Sequence, residues 1–209
     1  MWHWRDAQFK EIRNVGSEAR NIPEWSDYAL FCEKSDLGLR RDALSVLDRF
    51  IELLERAPFA ERRRFVSWLL TRLDDSDARQ QLLPHPLYQR IVLPTLSEWT
   101  QTEAGCPEPH VWLGRYEDLK RALELNPHYE VAQQKLIKWI LNHVAMATHE
   151  LPVGYLGDPV QDLAYLAEAD ALLRESSDSE SGSRFSSALG ELRTRVETHL
   201  KSRAKRIAP

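Results

Sequence analysis

The chain predicts an all-α fold of antiparallel helical hairpins, helical-repeat-like or an irregular helical bundle, and three observations carry that expectation. Apolar residues recur at three- and four-residue steps in segment after segment, which is helical spacing. No convincing alternating strand bounded by hairpin turns occurs among them. Prolines punctuate the periodic segments where helices would have to stop.

The first forty residues read as less regular, although Trp25, Tyr28, Ala29 and Cys32 suggest a short packed helix. From about Leu39 to Ala57, residues Ala43, Leu44, Leu47, Phe50, Ile51 and Leu54 share one face, and Pro58 should end that helix. A second helix turns Phe65, Trp68, Leu69 and Leu73 inward, and the short link favours an antiparallel hairpin. Pro86 suits the first turn of the next helix, which carries Leu87, Ile91, Val92, Leu96 and Trp99 and which Pro94 should kink or split. Gly105-Cys106-Pro107-Glu108-Pro109 marks a boundary between subdomains 1–104 and 105–209, expected to pack as one unit.

Beyond it, a helix near 110–125 stops at Asn126-Pro127, and a longer one runs from about His128 to Thr148. Its stripe is Ala132, Leu136, Trp139, Ile140, His143 and Ala147. Leu151 to Pro159 reads as a compact turn, with Asp158 capping the next helix and Pro159 at its first position. Val160, Leu163, Ala164, Ala167 and Ala171 give that helix a narrow apolar face. Ser176 to Ser183 reads as polar and mobile. A last helix presents Phe185, Ala188, Leu189, Leu192, Val196 and Leu200.

The segment Leu119-Lys-Arg-Ala122-Leu-Glu-Leu-Asn126-Pro127-His-Tyr129-Glu-Val-Ala132-Gln-Gln-Lys-Leu136 resembles the junction between successive tetratricopeptide repeats. The resemblance covers residues 119–136. In that family, stacked helical hairpins form a curved surface that binds peptides or other proteins, so the resemblance implies a binding role.

Composition bounds the function classes. With 43% hydrophobic and 29% charged residues the chain fits a globule and not a largely disordered segment. A net charge of −4 supplies no global basic field for nucleic acid. Two cysteines, Cys32 and Cys106, are too few for a disulfide scaffold. The start lacks a secretory pattern, and no apolar run reaches membrane-spanning length, so a cytoplasmic protein is expected.

No metal or cofactor is expected. There is no His-Glu-x-x-His, no zinc-spaced cysteine pair, no phosphate loop and no nucleophile elbow. Asp74-Asp75-Ser76-Asp77 lacks the glycine and terminal glutamate of a calcium loop and reads as a helix cap at Asp75 or Ser76. Gly154-Tyr-Leu-Gly157 reads as a turn. His143 reads as a hydrogen-bonded core histidine one turn from Trp139, and His149 as a helix-end residue meeting free carbonyls. Trp68, Trp99 and Trp139 fill the core, while Trp2 and Trp4 either dock on the body or meet a partner.

Charge is segregated more sharply than chemistry. Glu150 to Ser183 holds eight acidic residues and one basic, whereas Arg184 to Pro209 holds seven basic and two acidic. The expected role is therefore non-catalytic binding of another protein, in particular a basic one, as in a bacterial toxin-neutralising immunity protein or an adaptor. The partner-binding residues expected on the acidic segment are Tyr155, Asp158, Asp162, Glu168, Asp170 and Glu175. An enzyme would instead need His143, His149, Glu150 and Asp158 to converge. A third reading has the basic end, Lys201-Ser-Arg-Ala-Lys-Arg206, bind nucleic acid weakly.

Overall fold

Helix α1 spans Asp6–Arg20 and α2 spans Ser26–Asp36 in a computed structural model. The structure describes the backbone of residues 6–74, 76–175 and 179–207, and the side chains of 8–74, 76–174 and 184–203. Every regular element among them is helical. The chain forms two compact units, residues 1–104 and 105–209.

In the first unit the supposedly irregular N-terminus is a helical pair. Ile12, Val15 and Ala19 are buried on one face of α1, and Gly16 lies on the same face. A Cβ at Gly16 would stand 2.8 Å from the Cβ of Cys32, so glycine here lets α1 approach α2 closely. Helix α3 (Arg40–Arg56) buries Ala43, Leu47, Phe50, Ile51 and Leu54 as the periodicity requires, and stops before Pro58. Helix α4 (Phe59–Arg72) buries Phe65 and Leu69, with Leu73 just beyond its end. Ser76 Oγ accepts from the Ala78 N–H (3.0 Å) ahead of the short α5 (Arg79–Leu82). Asp75 and the two tryptophans Trp2 and Trp4 lie outside the described residues.

Pro94 does not split its helix. A helical turn, α6 (His85–Leu87), leads through a wider π-type turn, Tyr88–Val92, into α7 (Leu93–Thr102). The Leu93 N–H reaches back five residues to Tyr88 O. Proline has no N–H to continue the ladder, and the wider turn absorbs the mismatch while Leu87, Ile91, Val92, Leu96 and Trp99 all stay buried.

In the second unit the helix expected near 110–125 is two: α8 (Glu108–Leu113) and α9 (Tyr116–Leu125). Gly114 separates them in the left-handed conformation (φ 69°), its N–H donating to His110 O at 3.2 Å. After Asn126-Pro127 comes α10 (Glu130–Thr148). Ala122 and Ala132 are fully buried and pack with Val111, so small residues close the α8–α9–α10 corner. Helix α11 (Pro159–Glu175) and α12 (Ser179–Ile207) complete the unit, around a core of Leu136, Ile140, Val144, Leu166, Leu189 and Val196. α12 starts at Ser179, so the expected mobile stretch is helical from there on, and residues 176–178 lie outside the described set.

One expected face is rotated and another is broader than its apolar spacing predicts. On α11 the buried residues after Pro159 are Asp162, Leu166 and Ala169, whereas Val160, Ala164 and Ala167 point outward. On α10 Ala132, Leu136, Ile140 and Ala147 are buried as expected, Gln133, Ile137, Val144 and Thr148 widen the inward stripe, Trp139 is half-buried at its edge, and His143 is exposed and not a core residue. The polar partners described next are what make burying a carboxylate tolerable.

Candidate functional site

Asp162 is the centre of the second unit's polar chemistry. It is 1% exposed and meets two polar side chains of different kinds. Tyr155, in the turn after α10, donates its hydroxyl to Asp162 Oδ2 at 2.6 Å. His143, on α10, places Nε2 3.2 Å from Oδ1. Burial and the adjacent carboxylate raise the Tyr155 phenol well above its ordinary range, because both penalise a phenolate.

The turn is held in place to deliver Tyr155. Leu156 N–H donates to Ala147 O at 2.9 Å, which folds the turn back on the end of α10. The Leu151–Pro152 peptide is cis, and Gly157 takes a positive φ of 136°. Asp158 caps α11 as expected from its position before Pro159, accepting from Val160 N–H at 2.9 Å.

Aromatic rings surround the carboxylate's partners. His143 stacks on Trp139 (4.9 Å, 9°), and Tyr165 meets the imidazole edge-on at 5.5 Å. Tyr155 in turn lies 4.9 Å from the His199 ring of α12. Six residues further along α11, nearly two turns on, the pattern repeats. Tyr116 donates to Glu168 at 2.6 Å, Lys120 pairs with the same carboxylate, and the Tyr116 phenol is raised for the same two reasons. Asp170 pairs with Arg193 of α12.

The acidic segment is thus a set of internal fasteners. Of the six residues expected at a partner surface, Asp162 is buried, Tyr155 and Glu168 are half-buried in networks, Asp170 is ion-paired, and Asp158 caps a helix. The Glu175 side chain lies outside the described residues. The four residues expected to converge in an enzyme pair off otherwise. His149 Nε2 contacts its neighbour Glu150 (2.8 Å) and its Nδ1 lies 2.7 Å from Met146 O, while His143 turns to Asp162. Among the described residues no group of three or more His, Cys, Asp or Glu could hold a metal ion.

What composition did not reveal is a set of exposed apolar side chains on the same turn and the helix ends that flank it. Val153 is 92% exposed, Val160 66%, Met146 63% and Leu156 55%. The Leu156–Ala147 hydrogen bond sets Leu156 beside the neighbour of Met146. Behind Val153, between the turn and α12, lies a half-open cleft of about 500 Å³. No helix among the described residues is long and apolar enough to cross a membrane. Comparison with protein-family models, with curated proteins and with solved structures finds no match.

Proposed function

We propose that the protein works by binding another protein, non-catalytically, and that the turn at 151–160 is the contact. The observation that carries this reading is four exposed large apolar side chains, Val153 and Leu156 on a turn anchored from beneath, with Met146 and Val160 on the two helices that flank it. Apolar side chains held out by a rigid support gain most when a partner covers them, and such patches mark interaction sites. The tetratricopeptide-like junction at 119–136 agrees with a binding scaffold. An adaptor and a toxin-neutralising immunity protein are two concrete forms of it. Cys32 and Cys106 are both free thiols, which supports work in the reducing cytoplasm.

The expectation of a basic partner rested on free acidic charge. With Asp162, Glu168 and Asp170 committed internally, the apolar set replaces the acidic face as the proposed contact.

The test is photo-cross-linking from a reactive group at position 153, followed by reconstitution with the purified cross-linked protein. Val153→Asp, Leu156→Asp and Val160→Asp together should weaken the reconstituted complex at least tenfold while circular dichroism is unchanged. Unchanged affinity, or cross-links solely to a second copy of this chain that sedimentation confirms as a dimer, would overturn the reading.

One observation favours a second, enzymatic reading: a buried carboxylate orienting an exposed imidazole, the arrangement that prepares a histidine for proton transfer. His143→Ala separates the two. It should leave partner affinity unchanged and would abolish any turnover.

A further inference from the structure

The cleft between the turn and α12 is lined on one side by Pro152 and Val153 and on the other by Arg195, Thr198, His199 and Arg203. Arg195, His199 and Arg203 follow one another at four-residue steps, so they form a single stripe along α12. This stripe is set apart from the rest of the unit's charge. Arg193 is taken by Asp170 and Lys201 reaches Glu197, but neither Arg195 nor Arg203 has an ion-pair partner among the described residues. No carboxylate lines the cleft among those residues.

We infer that this cleft binds an acidic segment of a protein partner, with carboxylates on Arg195 and Arg203 and an apolar side chain against Pro152 and Val153. The inference rests on the protein-binding reading above, because Val153 belongs both to the exposed apolar set and to the cleft wall. Two guanidiniums two turns apart, about 12 Å by helix rise, match carboxylates on an extended chain rather than one small anion. A volume of about 500 Å³ accommodates a few side chains. A nucleic acid would also meet the arginines, but the facing wall is apolar and non-aromatic, and the one ring that lines the cleft among the described residues, His199, already lies against Tyr155.

The probe is a fluorescein-labelled hexapeptide alternating glutamate with leucine, titrated by anisotropy against the full chain. Its counterpart alternating glutamine with leucine and an oligothymidylate of similar length are the comparisons. The glutamate peptide should bind at least tenfold tighter than the glutamine peptide, and more weakly as salt rises. Arg195→Ala and Arg203→Ala should each weaken it about fivefold, and Arg195→Glu with Arg203→Glu at least tenfold. Both arginines are exposed, so circular dichroism should not change. Equal binding of the glutamine peptide, tighter binding of oligothymidylate, or indifference to charge reversal would overturn the inference. If charge reversal spares the cross-linked complex while the three aspartate substitutions at the turn destroy it, the inference falls and the docking reading stands. If the aspartate substitutions have no effect on that complex, the docking reading falls whatever the peptide does.

Discussion

The two units spend their aromatic residues differently. In the first, Trp25, Tyr28, Phe50 and Phe65 are buried in mutual contact, with centroid separations of 4.9 to 5.6 Å, and Tyr28 satisfies its hydroxyl on Leu82 O at 2.7 Å. In the second, Tyr116, Trp139, Tyr165 and Tyr155 are half-buried, and two of their hydroxyls serve carboxylates of α11. Rings in the first unit supply burial. In the second they supply donors and a dry surround for charge, and there the exposed apolar turn and the open cationic stripe are found. A unit that keeps a carboxylate in its interior has given up apolar area there, and a fixed position for the turn is what it gains.

The contrast has a graded signature in stability. Phe65→Ala empties a fully buried site ringed by Trp25, Tyr28, Phe50 and Trp68, and should cost about 3–5 kcal/mol in denaturant unfolding. Asp162→Ala strands the Tyr155 hydroxyl and releases His143, and should cost about 2–3 kcal/mol. Asp162→Leu, apolar and branched at the same atom though bulkier, should recover part of that loss yet free the turn, seen as faster amide exchange at 153–157. If Asp162→Leu leaves exchange unchanged, the carboxylate is not what holds the turn. Gly16→Ala sets helix propensity, worth about 1 kcal/mol in favour, against a 2.8 Å clash with Cys32. Overpacking of about 1–3 kcal/mol should win, because the neighbouring atom is a Cβ that cannot swing away.

Legibility followed the same divide. Where burial was wholly apolar, as in α3 and α12, three- and four-residue spacing located both the helix and its inward residues. It failed at α1 because the buried face is narrow and includes Gly16, a residue that reads as a breaker until a neighbour's close approach explains it. It failed on α11 because hydrophobicity ranks Asp162 outside and Val160 inside, the reverse of what Tyr155 and His143 together make possible. Partners 7 and 19 residues away in sequence are a property of the folded chain. Local signals fared better. Asp158-Pro159 was readable as a cap because its partner is two residues on. The segregated charge was visible, but its pairing, which leaves Arg195 and Arg203 over, was not.

The smallest effect is also the most specific to the second unit. Tyr155 is held neutral by burial and by Asp162, so its folded pKa lies above the unfolded value of about 10. A group raised on folding contributes stability that is complete below the unfolded pKa and is lost as pH climbs through the folded one. Tyr155→Phe should therefore cost about 1–2 kcal/mol near neutrality, where the phenol donates to the carboxylate. The gap between wild type and variant should narrow as pH rises beyond about 10. Tyr116→Phe should behave alike through Glu168. Tyr28, raised chiefly by its complete burial and donating to a backbone carbonyl, supplies the counterpart in the first unit. There, ionisation requires opening the core, so Tyr28 should titrate only as that unit unfolds, whereas the half-buried Tyr155 and Tyr116 should ionise at lower pH than Tyr28. Ultraviolet difference spectra recorded alongside circular dichroism separate the two cases. Simultaneous ionisation of all three tyrosines with loss of helicity would erase the distinction between an apolar support and a polar, working unit.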